Sequence, residues 1–167
     1  MKIVNSTIDD IDTIFDLYDE ASKYQVEVFM QQWVGFERVL IETEIEENRQ
    51  WKILINNEIA CVFAVTYNDE IIWKEKDQQP SIYIHRISVN NKFRGRGFVN
   101  IIVSWATVYC KTHQKKFIRM DTLGHNQKLI DYYIKCGFKH TETIKIDALQ
   151  GMPAHYKGSL ALFEIAI

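Results

Sequence analysis

Apolar and polar positions along this chain repeat with two periods, and the switches between them mark out its elements. KIVNST alternates over a few residues and predicts a short edge strand. From residue 11 the rhythm changes to Ile11, Ile14, Phe15, Leu17 and Tyr18. Those positions share one helix face, and Asp9 and Asp10 before them suit the positive end of the helix dipole. A second helix is predicted over 30–48, with Trp33, Phe36, Val39, Leu40 and Ile45 inward. Glu37, Glu42, Glu44, Glu46 and Glu47 fall on its other faces. WKILI and IACVFAVTY flank Asn56-Asn57-Glu58, which reads as a hairpin around an Asn-rich turn.

Residues 69–80 are polar with one proline and read as a loop or a distorted hairpin tip. SIYIHRISV (81–89) is a strand, and apolar periodicity then predicts a helix over 98–112. FIRMDTL (117–123) is a further strand. Asn126 opens a helix running to Cys136, where Gly137 supplies a stop. Two strands near 139–147 and 155–166 follow, separated by a Gly-Met-Pro turn. The order predicts an α/β fold with one mixed, twisted sheet of about seven strands and about four helices. The βαβ unit at 81–123 should be right-handed. With no internal repeat and no linker, residues 1–167 read as a single domain.

Composition narrows the class. The 167 residues are 47% hydrophobic and 25% charged, which argues against disorder. No apolar run reaches the roughly 18 residues of a membrane span. The start, MKIVNSTIDDID, lacks the apolar centre of a signal peptide, so a cytoplasmic protein without a membrane partner is expected. Cys61, Cys110 and Cys136 form no CxxC and read as reduced, buried thiols. The five histidines show no metal spacing, so no metal is expected.

The net charge of −2 conceals a split: residues 1–70 hold 5 Lys/Arg and 15 Asp/Glu, whereas residues 71–167 hold 15 and 7. Such asymmetry points to an anionic ligand for the second part or, more plainly, to solvated helix faces. A chain that is not basic as a whole is not expected to bind nucleic acid.

Two constellations carry candidate chemistry. Gly95 and Gly97, in FRGRGFV, fall between a strand and a helix. Glycine lets the backbone approach a ligand closely, and the unpaired N–H groups of a helix start attract an anion. Lys92, Arg94 and Arg96 add charge, so the turn reads as a pyrophosphate cradle; the plainer alternative is a tight turn with two surface arginines. No Walker pattern is present, and GxGxxG fails because Asn100 stands at its third glycine. In NQKLIDYYIKCGF, Asn126, Leu129 and Tyr133 share a helix face, with Tyr132 turned about 100° away. A packing tyrosine is the alternative for Tyr133.

These stretches, IHRISV, RGRGFV and NxxLxxxYxxxGF, resemble the core of the GNAT superfamily of N-acetyltransferases over about 60 residues at 81–138. Arg94, Gly97 and Val99 fall on the defined positions of its Gln/Arg-x-x-Gly-x-Gly/Ala turn, with Val99 departing from Gly or Ala. Leu129 replaces Ala in its second motif. The resemblance implies a V-shaped splay between the fourth strand, 81–89, and the fifth, 117–123, with acetyl-CoA as acyl donor. It implies that Ile87, Ser88 and Val89 pair with the pantetheine amides. It places the pyrophosphate on Arg94, Gly95, Arg96, Gly97, Phe98 and Val99. Asn126 and Leu129 would line the pantetheine arm, and Tyr133 would reach the thioester sulfur as general acid.

The activity implied is acetyl transfer by direct attack of a primary amine, on a small molecule or on a peptide or protein. A non-catalytic acyl-CoA-binding sensor is the alternative. For the base, His85 is the leading residue, with Asp121 or a water relay as rivals; strand alternation would set Tyr83, His85, Ile87 and Val89 on one face. The acidic, aromatic segment from Tyr18 to Phe36 reads as exposed helix acids beside a hydrophobic face or, alternatively, as a wall that suits a cationic acceptor. Exposed aromatics and terminal strands leave room for a homodimer.

Overall fold

A computed structural model describes residues 1–29, 35–124, 126–145 and 158–167, with the backbone alone at 26–29. The strands are β1 (Lys2–Asn5), β2 (Gln50–Ile55), β3 (Glu58–Thr66), β4 (Ser81–Val89), β5 (Phe117–Leu123), β6 (Lys139–Lys145) and β7 (Ser159–Ala166). They join one mixed seven-stranded sheet in the order β1-β2-β3-β4-β5-β7-β6. The described α-helices are α1 (Ile11–Phe29), α2 (Arg38–Glu46), α3 (Glu70–Trp73), α4 (Phe98–Thr112) and α5 (Gln127–Lys135). None of them is long and apolar enough to cross a membrane. The chain divides into two compact units, residues 1–65 with 86–98, and residues 66–85 with 99–167.

In the first unit, β2 and β3 form the expected hairpin, closing at the Ile55↔Glu58 pair. Asn56 and Asn57 have φ of 52° and 65°. Positive φ at both central residues is what a two-residue hairpin loop matching the strand twist requires, and asparagine tolerates it. Ile11, Ile14, Leu17 and Tyr18 of α1 pack with Ile41 and Ile45 of α2 and Val62 of β3. Tyr18 is thus a core residue rather than part of an exposed acceptor wall.

The second helix is shorter and turned differently from the expectation. It begins at Arg38, Val39 and Leu40 are exposed, and Ile41, Glu44 and Ile45 face inward at i, i+3 and i+4. Trp33 lies outside the described residues. Glu44 faces inward because it has partners: its carboxylate accepts hydrogen bonds from Arg86 and lies 3.5 Å from the Arg49 guanidinium. Arg86 also reaches the Tyr18 hydroxyl, which is bonded to Gln50.

A buried pair stripped of one partner leaves the other charge uncompensated, at a cost of about 3–5 kcal/mol. Glu44→Ala is therefore expected to lose about 3 kcal/mol in urea unfolding. The double replacement Glu44→Leu/Arg86→Met should recover most of it; a single variant as stable as the parent would show the pair to be dispensable.

In the second unit, the segment expected as a loop is helical: α3 is followed by a 3-10 turn over Lys74–Gln78. Its apolar residues Ile72 and Trp73 are adjacent, so they show no periodicity, yet both are buried with Tyr83, Leu160 and Leu162. Parallel β4 and β5 pair at Ser81↔Phe117, Ile82↔Ile118 and Tyr83↔Arg119. β7 lies antiparallel between β5 and β6. The Gly-Met-Pro turn lies outside the described residues.

Candidate functional site

The glycine turn belongs to the first unit. Asn90 ends β4 and its side chain accepts the Lys92 N–H at 3.0 Å, starting a 3-10 turn over Asn91–Phe93. Gly95 and Gly97 follow with φ of 80° and 69°, a region other residues enter at a cost of about 1–2 kcal/mol. The turn therefore needs its glycines for conformation, and it delivers the chain directly into α4 at Phe98. Phe98 and Val99 are buried, so the valine side chain packs inward and leaves only main chain at the helix start.

The three cations of the turn differ in what they face. Lys92 is paired with Glu58 at 2.6 Å. Arg94 lies over the Tyr24 ring at 4.2 Å and Arg96 over Phe93 at 5.4 Å, and both residues are exposed. Among the described residues, their charge is thus positioned by aromatic faces rather than paired with carboxylates. A helix start and two exposed arginines are groups whose chemistry suits an anion.

Just upstream, the strict alternation expected along β4 fails. Arg86 has φ of 49° inside the strand, which turns the chain out of register between His85 and Ile87. His85 and Ile87 therefore do not follow a simple shared face. Ser88 is buried, and Ile87 and Val89 are half-buried.

The second unit gathers the titratable groups. Parallel pairing ends at Tyr83↔Arg119, two residues before His85 and Asp121. His85, Asp121 and Asp69 bring donor atoms within 4.8 Å of one another, a spacing that a cation can occupy. His85 Nε2 lies 3.9 Å from Asp69 Oδ2 and 3.2 Å from Thr66 Oγ1. Thr66 has one hydroxyl proton and gives it to the Asn68 carbonyl at 3.2 Å.

Burial pushes the Asp69 carboxyl up to about 6, with Asp77 adding to the rise against a backbone N–H that opposes it. Burial pushes Asp121 up to about 7, and the Asp69 charge adds to it. Asp69 was not among the sequence candidates: nothing in NDE at 68–70 separates it from a solvated loop acid.

Asn126 caps α5, its side chain accepting the Leu129 N–H at 3.1 Å. Gly137 follows the helix with φ of 97°. Tyr133 is buried, edge-on to Phe163 at 5.4 Å and to Phe138 at 6.3 Å. Burial pushes its phenol well above the ordinary value, and Tyr132 and Asp121 add to the rise. Such a phenol gives up its proton poorly but remains a hydrogen-bond donor. Cys136 is buried and free, as a packing thiol would be.

The arrangement can be compared with known proteins. The chain is 24% identical over 157 residues to the uncharacterized N-acetyltransferase YesJ of Bacillus subtilis (strain 168), covering 83% of this chain and 87% of that protein. A GNAT-family acetyltransferase structure from Listeria monocytogenes superposes with a TM-score of 0.78 at 20% identity, over 99% of this chain and 94% of the other. The structure of yncA from Salmonella typhimurium with its cofactor acetyl-CoA matches with a TM-score of 0.70 at 12% identity, over 99% and 93%. These two structures establish a shared fold. The family model described as "Acetyltransferase (GNAT) family" matches residues 14–138, well beyond the stretch that carries the motifs. The strand–glycine turn–helix of 81–112 and the capped helix at 126–135 lie in that span, and the chain belongs to the GNAT family of acetyltransferases.

Proposed function

We propose that this chain transfers the acetyl group of acetyl-CoA to a primary amine. The observation that carries the proposal is the turn Arg94–Gly97, whose two left-handed glycines open α4 directly after β4 within a GNAT family match. Main-chain N–H groups of residues 94–99 hold the pyrophosphate, with Arg94 and Arg96 adding charge. The main chain of Ile87, Ser88 and Val89 pairs with the pantetheine amides. Asn126 spends its side-chain oxygen on the cap and keeps its amide N–H groups to donate to the same arm, beside Leu129.

The chemistry asks three things of the protein. The acceptor ammonium must lose a proton, because only the free amine has a lone pair; His85 and Asp121 are the two candidate acceptors. The oxyanion formed on attack needs donors, which main-chain N–H groups of β4 supply. The leaving thiolate needs a proton donor, and Tyr133 offers a hydrogen bond, with the final proton coming from the attacking nitrogen.

The test is thiol release with acetyl-CoA and a panel of primary amines. Turnover is expected with at least one amine, and Tyr133→Phe should lower kcat by about 10–100-fold, the low end of proton-transfer effects, with CoA affinity unchanged. Tight CoA binding with no thiol released for any amine would instead favour a non-catalytic acyl-CoA sensor.

A further inference from the structure

The Asp69 Oδ2 atom is buried and has no hydrogen-bond partner among the described residues. A bare carboxylate oxygen out of water is costly unless a donor reaches it, so the site calls for a proton or a cationic N–H. Its main-chain N–H is bonded to Asp77 Oδ1 at 2.7 Å, which fixes the backbone without satisfying the side chain. Beside it stand His85 and Asp121, all three donor atoms within 4.8 Å of one another. His85 Nε2 lies 3.2 Å from Thr66 Oγ1 and 3.9 Å from Asp69 Oδ2, so this nitrogen is engaged by Thr66 and leaves Oδ2 unsatisfied.

We propose that Asp69 and Asp121 act as a paired base: the deprotonated pair receives the ammonium group of the acceptor, removes its proton and shares that proton between the two carboxylates. The proposal rests on the acetyltransferase reading and deepens it: it names the base and restricts the acceptor to amines that arrive charged. Asp69 and Asp121 touch the reacting nitrogen and are catalytic; His85 stands beside Asp69, its Nε2 3.9 Å from Oδ2.

The groups that face the pair are Asp77 from the 3-10 turn, His85 from β4, Tyr133 from α5 and the Thr66 hydroxyl. Two carboxylates this close do not both ionise easily, so the pair is protonated at acid pH and sheds its last proton near neutrality. The shifts are in that sense: burial, with Asp77 adding to it, lifts Asp69 to about 6, and burial with the Asp69 charge lifts Asp121 to about 7. In the reaction, an N–H bond of the ammonium breaks and its electron pair stays on nitrogen, while the proton goes to the dianionic pair. The amine attacks the acetyl carbonyl and the C–S bond breaks. The second nitrogen proton ends on the thiolate, and the proton on the pair leaves to water.

The test is kcat/KM for a reactive primary amine at saturating acetyl-CoA from pH 5 to 9. The variants are Asp69→Asn, Asp121→Asn and His85→Gln, with CoA affinity measured for each by calorimetry. The wild type should show an acid limb near neutrality. Asp121→Asn should lose about 100-fold or more, within the range of general-base effects. Asp69→Asn should lose at least about tenfold and move the limb to lower pH, because the Asp69 charge that raises Asp121 is gone. His85→Gln should keep the limb, and CoA affinity should hold within about twofold throughout.

Independently of turnover, infrared difference spectra between pH 5 and 8 should show protons lost from both carboxyls in the wild type and from only the remaining carboxyl in each Asp→Asn variant. A limb abolished by His85→Gln but kept in Asp69→Asn would overturn the proposal. So would stoichiometric Zn²⁺ binding removed by Asp69→Asn, which would make the cluster a metal centre. A wild type that fails to bind CoA would bring down the acetyltransferase reading itself, whereas unaltered kinetics in Asp69→Asn would bring down only this inference.

Discussion

Gly97→Asp is expected to weaken CoA binding by about 100-fold or more while leaving the protein folded. Two effects act, and they can be separated. The first is conformational: Gly97 has φ of 69°, where a Cβ costs about 1–2 kcal/mol. The second is electrostatic. If the main-chain N–H groups of 94–99 hold the pyrophosphate, a carboxylate at 97 stands against it. Two unit charges about 4 Å apart at a surface-like effective dielectric repel by about 4 kcal/mol.

Gly97→Asn carries nearly the same shape without the charge, and asparagine enters the left-handed region more readily than most residues. Calorimetric titration with CoA should therefore find the Asn variant within about tenfold of the wild type and the Asp variant far weaker, with the gap narrowing in high salt. Stability does not confound the comparison, because an acid ahead of a helix suits the dipole. Equal affinities in the two variants would mean that the phosphates lie elsewhere.

The part of the fold that the sequence made legible is the part where one local rule decides the outcome. The 81–89 and 117–123 strands and the 98–112 helix have the predicted boundaries, since each has a continuous apolar signal flanked by polar or glycine residues. The Asn126 cap and the Gly137 stop follow from side-chain size and backbone freedom alone.

Where the outcome depends on a distant partner, the sequence was silent or misleading. Glu44 looked like one more exposed acid in a glutamate-rich helix, but Arg86, 42 residues away, pulls it inward and turns α2 with it. Arg86 itself breaks the alternation of β4, so period-two reasoning correctly placed Tyr83 and lost its hold after His85. The candidate site divides in the same way. The glycine turn is a local motif, readable in six residues. Asp69 becomes chemically distinct only through burial beside His85 and Asp121, which are 16 and 52 positions further along the chain.

Arg119→Met is expected to be the most damaging single substitution away from the proposed cofactor turn. Arg119 is a charged residue in a strand whose side chain is fully buried, and each face of its guanidinium group is used. Nε donates to Glu164 Oε2 at 2.8 Å, and Nη1 donates to the Lys76 carbonyl at 2.6 Å and to the Tyr83 hydroxyl at 3.3 Å. Nη2 donates to Gln79. The flat surfaces lie 4.6 Å from the Phe117 ring and 4.9 Å from the Trp73 ring. One side chain thus ties β5 to β7 and to the short helical segment after α3, which has little apolar surface of its own.

Methionine fills the volume but supplies no donor. Glu164 keeps some exposure and can be hydrated, as can the exposed residues Lys76 and Gln79, which leaves the buried Tyr83 hydroxyl most affected. The Lys76 carbonyl, the Gln79 amide and the Tyr83 hydroxyl lose a partner together. A buried network broken on one side costs about 3–5 kcal/mol. At about 2–4 °C per kcal/mol for a chain of this size, calorimetry should find the melting temperature lowered by roughly 10 °C. Arg119→Lys should recover only part of the loss, because an ammonium cannot serve the fork of partners that a guanidinium spans. A methionine variant melting within about 2 °C of the wild type would show that the aromatic packing alone holds this segment, and that the four hydrogen bonds contribute little net stability.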